Sequence, residues 1–145
     1  MNVELTKSII STYFRNNNLS LQKLPQVYIL YRALQKIGKS PILFKGYLVN
    51  HLIQLYHIYF WIICDGQMHN IIDETLCYSY DPNIELIDIL PEEIEMQYIN
   101  MDPDPTAVQN SFNACLNDTF LEHLYQTTPT NIYHIIKKLY NEICI

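Results

Sequence analysis

The residues of this chain that could do chemistry together lie in one stretch, His57 to Thr75 (HIYFWIICDGQMHNIIDET). A histidine, His57, enters one arm and an aspartate, Asp73, leaves the other. Asp65-Gly66 between apolar runs signals a hairpin, because glycine takes the positive φ that a tight turn needs. A two-residue loop would pair Cys64 with Gln67 and set His57 opposite Glu74. A three-residue loop, with Gly66 as the left-handed residue of a bulge, pairs Ile63 with Gln67 and sets His57 opposite Asp73. The longer loop is preferred because it sorts the faces. Ile58, Phe60, Ile62, Met68 and Ile72 then share an apolar face, with Asn70 as the exception. His57, Tyr59, Trp61, His69, Ile71 and Asp73 share a mixed one. A carboxylate beside the imidazole would raise its pKa and fix its tautomer, as two members of a triad require. Tyr59, Trp61 and His69 are candidates for lining a groove that takes a partner peptide. The same pattern also fits a half-buried hairpin with its aromatics packed under a helix and a satisfied His and Asp.

The elements that must position this stretch can be read on either side of it. Val3, Ile9, Ile10, Tyr13 and Phe14 recur at helical intervals over residues 3–16, up to the Asn16-Asn17-Asn18 break. Pro25 can open a second helix, with Val27, Leu30, Tyr31, Leu34 and Ile37 along one face and Gly38 as its stop. Strands are expected over 42–49, 55–63 and 67–73, with the apolar link 50–54 unassigned. Residues 77–105 read as a long irregular loop, with a short helical turn near Pro91-Glu92-Glu93. One helix is expected over 106–126, with Val108, Phe112, Leu116, Phe120 and Leu124 recurring every four. A last helix follows Thr128-Pro129, with Ile132, Ile135, Ile136, Leu139 and Ile143 on its inner stripe. The class is α+β: a small antiparallel sheet of about three or more strands packed against helices, in a single domain over 1–145.

Composition narrows the function classes. A formal net charge of −6 and the absence of a basic run argue against a nucleic-acid partner. No apolar run approaches the length of a membrane span, and the start, MNVELTKSII, lacks the basic and apolar regions of a signal peptide. An intracellular protein is expected, or a virion component if the source is viral. The richness in Ile, Asn and Tyr beside three glycines suits an AT-rich genome. The cysteines at 64, 77, 115 and 144 form no C-x-x-C and read as reduced thiols. His51, His57, His69, His123 and His134 show no zinc-type spacing. Neither a metal nor a cofactor is expected, and the expected partner is a protein or peptide.

Arg32-Ala33-Leu34, Gly38, Pro41 and Gly46-Tyr47-Leu48, followed by His57, Trp61, Asp65-Gly66 and Asp73-Glu74-Thr75, resemble the central part of transglutaminase-like proteins, members of the papain-like cysteine peptidase superfamily. The likeness covers roughly residues 22–76. It implies a thiol nucleophile at the N-terminus of the long helix, a His that serves as base and then acid, and an Asp that orients it. That helix begins here near Lys23-Leu24-Pro25-Gln26, and no cysteine precedes Cys64. Ser20 is the nearest hydroxyl, on a connector without helix support. The resemblance therefore implies a non-catalytic module kept for binding or structure, with His57 and Asp73 as vestigial triad members. Two alternatives stand beside it. Asn113-Ala114-Cys115 after His57 faintly resembles a permuted papain-like hydrolase or acyltransferase that would use His57 and Cys115. The plain alternative is an interaction protein unrelated to peptidases.

Overall fold

A computed structural model describes residues 1–71, 82–102 and 104–145. Among these residues it holds six helices and a curled, mainly antiparallel sheet. The fold is α+β, as the sequence predicts.

Helix α1 spans Val3–Asn16, and the Asn2 side chain caps it by accepting from the Leu5 N–H. Helix α2, Lys23–Lys36, is the central element. Its residues 24–30, with Ala33 and Leu34, are buried, and it packs against α1, α6, α4 and the sheet. Strand β1 (Ile42–Asn50) pairs antiparallel with β2 (Leu55–Cys64) along its whole length. The apolar link between them is a tight turn. The Asn50 side-chain oxygen accepts from the Leu52 and Ile53 N–H groups, and Gln54 takes φ 53°.

The expected third strand is short. β3 covers only Gln67–His69. The region read as an irregular loop supplies the rest of the sheet. β4 (Ile84–Ile87) pairs antiparallel with β1, α3 spans Glu92–Gln97, and β5 (Ile99–Asn100) runs parallel beside Leu55 and Tyr56 of β2. The strand order is β3-β2-β1-β4, with β5 on the β3 side of β2. These two strands escape pattern reading because neither is long enough to show a period.

The helix expected over 106–126 is two helices, α4 (Pro105–Leu116) and α5 (Phe120–Thr127). Asp118 takes φ 60° between them, and its carboxylate pairs with Arg32 of α2. A continuous i+4 stripe would have buried Leu116, which is exposed; the bend lets Phe120 and Leu124 turn inward instead. Helix α6, Thr130–Cys144, closes the layer with Ile136, Leu139 and Tyr140 against α2. Among the described residues, no helix is long and apolar enough to cross a membrane.

The hairpin register differs from the preferred reading. Cys64 pairs with Gln67, Ile63 with Met68 and Ile62 with His69. Asp65 (φ 53°) and Gly66 (φ 74°) both lie in the left-handed region, so the loop is the two-residue kind. Its backbone twist matches that of the flanking strands, and Asp tolerates the conformation. Lys39 at 2.6 Å holds the Asp65 carboxylate. The register that would set His57 opposite Asp73 is therefore not the one formed.

The two sheet faces carry separate cores. Ile58, Phe60, Ile62 and Cys64 face the helices, in one cluster with Ile10, Phe14, Val27, Leu30 and Ile136. Leu48, Tyr59 and Trp61 form a second, smaller cluster on the opposite face, flanked by Phe44, Ile63, Ile84 and Leu86. Gly46 is buried between them. A Cβ there would clash with the Trp61 ring and the Ile87 carbonyl oxygen, so only glycine lets β4 and the indole approach β1 this closely.

Candidate functional site

The start of α2 breaks two local rules. Its first residue, Lys23, puts a cation where the helix dipole favours an anion. Gln22, the cap residue, makes no side-chain capping hydrogen bond, and the first turn holds no acidic residue. Departures of this kind mark places where a side chain is held by something other than local preference.

Lys23 reaches to β2. Its Nζ lies 3.4 Å from Nε2 of His57 and 5.1 Å from the centre of the Tyr59 ring. His57 and Tyr59 share a face of β2, and their rings meet edge to face at 6.3 Å. Burial, and next the Lys23 charge, pull the His57 pKa from 6.5 down to about 4. The imidazole is thus neutral at neutral pH. An ammonium can only donate, so Nε2 accepts and the ring proton sits on Nδ1.

Among the described residues, the edge of β2 next to this cluster is divided. β3 pairs with it only from Ile62 to Cys64, and β5 only at Leu55 and Tyr56. Between the two, the Asp102 carboxylate accepts the Ile58 N–H at 2.6 Å and stands in for a neighbouring strand. Burial raises the Asp102 pKa, against the Ile58 hydrogen bond and the nearby Lys23 and Lys45 charges. Tyr59 Oη donates to the Ile71 carbonyl at 3.2 Å, where the chain has left the ladder. Lys23, His57, Tyr59 and Asp102 thus gather where the first helix turn meets a stretch of the β2 edge that, among the described residues, no strand pairs.

The expected site residues fall as follows. His57 is half-buried within this gathering. Asp73 and Cys77 lie outside the described residues. Tyr59 and Trp61 share the His57 face but are 2% and 3% exposed. Trp61 is stacked on Phe44 at 5.8 Å. They fill a core and do not line an open groove. His69 is not on their face. The shorter loop shifts β3 by one residue, which sets His69 beside Ile62 and toward the helices. There it is buried and its Nδ1 has no hydrogen-bond partner. Its pKa is lowered by burial and then by Lys7 of α1.

Cys115 is fully buried in the helical core. α4 runs unbroken through Asn113, so the break that would expose this thiol is absent. Burial pushes its pKa well above that of a free thiol. Cys144 is pushed up to about 11 by burial, against Arg32 and Lys36. Cys64 is buried on the helix side of β2. Among the described residues, the free cysteines at 64, 115 and 144 all sit away from the His57 face, and no group of three or more His, Cys, Asp or Glu could hold a metal ion.

Sequence reasoning missed Lys23 and Asp102. Lys23 carried a signal, a cation at an uncapped helix start. Asp102 carried none beyond an Asp-Pro step, which reads as a turn. The chain matches no protein-family model, no curated protein and no solved structure.

Proposed function

We propose that this chain is a transglutaminase-like, papain-like module without a thiol nucleophile, serving in binding or structure, with Lys23 standing where the resemblance places the catalytic cysteine. The observation that carries the reading is the approach of Lys23 at the start of α2 to His57 Nε2 at 3.4 Å. The resemblance puts a nucleophile at the first turn of the long helix, facing a histidine on the second strand. Here that order is kept and the side chain is an amine. A neutral imidazole held by an ammonium supports structure. It has no sulfur to deprotonate. The burial of Cys115, which raises its thiol pKa, favours this reading over a permuted enzyme using that residue. The partner on this reading is a protein or peptide met inside a cell or in a virion.

The test is site-resolved alkylation by iodoacetamide near neutral pH, read by mass spectrometry on the native chain and on Lys23→Cys. Cys64 and Cys115 of the native chain should label slowly. The introduced thiol, at a helix start beside His57, should label on the order of tenfold faster than an ordinary exposed thiol. That acceleration should vanish when His57→Ala is added. An ordinary rate at position 23 would mean that the helix start is not a nucleophile's place. Fast labelling of native Cys115 that depends on His57 would establish the permuted enzyme instead.

A further inference from the structure

The positive charges of this chain are segregated. Every Lys and Arg lies in residues 1–45 or 137–145, and residues 46–136 carry none. The return segment 82–105, which brings β4, α3 and β5 to the sheet, holds seven carboxylates. Beneath that segment, on the helix-facing side of the sheet, lies a pocket of about 280 Å³. Its floor is Tyr47 of β1 with Tyr56 and Ile58 of β2, and the two tyrosine rings meet edge to face at 6.0 Å. Leu90 forms an apolar wall, and the exposed carboxylates of Asp88 and Glu95 stand at the rim. The size suits one long side chain and falls short of a drug-sized ligand.

We infer that this pocket binds the lysine or arginine side chain of a basic peptide segment from a partner protein. An apolar stem would lie on Ile58, Leu90 and the tyrosine rings, and its charged head would meet Asp88 and Glu95. The electrostatic field supports this sign of charge. Tyr56, on the floor, has its hydroxyl pKa raised by burial and then by Glu95, with Asp102 adding to it. Carboxylates that oppose an anion there favour a cation. Lys45, two residues before Tyr47 on the same face of β1, is engaged elsewhere: its ammonium donates to the Gln109 side chain and lies near Asp102. The site involves neither Lys23 nor His57, so it stands or falls independently of the scaffold reading.

The experiment is a titration of the isotope-labelled full chain, at low salt, with the blocked peptides acetyl-Gly-Arg-Gly-amide, its Lys counterpart and its Glu counterpart. Amide and tyrosine resonances are followed by NMR. The Arg and Lys peptides should produce saturable shifts at Tyr47, Tyr56 and Asn100, and the Glu peptide none. The double variant Asp88→Asn/Glu95→Gln changes two exposed side chains and should keep the fold. It should weaken the Arg peptide by about tenfold, as should the addition of salt. Equal shifts from the Arg and Glu peptides, no saturation by about 20 mM, or unchanged binding by the double variant would overturn the inference. Shifts at the same residues on raising protein concentration without peptide would also overturn it, by assigning the pocket to a second copy of the chain.

Discussion

His57 is a titratable ring held uncharged. Burial contributes most, and the Lys23 ammonium keeps a second positive charge away from it. The folded pKa, about 4, lies below the ordinary 6.5 of an unfolded histidine. Between those two values the unfolded chain takes up a proton that the folded chain refuses. Stability should therefore be flat above about pH 6.5 on this account and fall as pH drops toward 4. The ring is partly exposed, so solvent screening limits the loss to about 1–2 kcal/mol. His69 adds a slope of the same sign. NMR titration should place the His57 midpoint near 4. Lys23→Met should raise it without restoring an ordinary value, since burial remains. Urea unfolding should show a smaller loss between pH 7 and 4.5 in His57→Gln than in the native chain. A native midpoint near 6.5 would sink the account.

At the scale of elements, the lesson is in the edge of β2. A strand edge with unpaired N–H groups must be covered or paired. Among the described residues, β3 ends at His69 and pairing with this edge resumes at Ile99–Asn100. The position between them is completed by a side chain, Asp102, on the Ile58 N–H. Asp102→Ala should strand that donor and cost about 1–3 kcal/mol, or roughly 3–10 °C in melting temperature for a chain of this size. Asp102→Asn keeps an oxygen acceptor and should lose less. Amide exchange at Ile58 should quicken in the Ala variant. A melting temperature unchanged within a degree would show that the carboxylate contributes nothing to this edge. His51 offers a second tie for the same segment, donating from Nε2 to the Glu85 carboxylate at 3.1 Å, with Nδ1 at 2.6 Å from Tyr98 Oη.

At the scale of the whole molecule, β2 joins two cores. Ile58, Phe60 and Ile62 belong to the helical one, and Tyr59 and Trp61 to the smaller cluster on the other face. Alternate residues of one strand cannot lose their partners separately while its ladder with β1 persists. Trp61 is the only tryptophan, so its fluorescence reports the small cluster, while far-UV circular dichroism reports the helices. The two signals should change at the same denaturant midpoint, in one cooperative transition. An earlier midpoint for the fluorescence would mean that the second face unfolds alone. Helix α2 is the other unifying element, buried along its first two turns and touching α1, α4, α6 and the sheet.

The sequence by itself determined the elements with strong periods or strong punctuation. α1, α2, α6 and strands β1 and β2 follow from apolar spacing bounded by Asn, Gly and Pro, and Asp65-Gly66 fixed the hairpin's place. Periodicity is a local property, so it survives without knowledge of neighbours. Tertiary structure decided what depends on distant partners. The register turned on a one-residue difference in loop length, and with it the face of His69. β4 and β5 exist because β1 and β2 offer edges to pair with, a condition no four-residue window can reveal. The bend at Asp118 is matched by Arg32, 86 residues away. The meeting of Lys23 with His57 spans 34 residues, and it required α2 to be docked on β2 before an amine and an imidazole could share one site. Chemistry-bearing residue types were legible in the chain, but their grouping was not, because hydrogen bonds and charges act through space while the sequence records only order along the backbone.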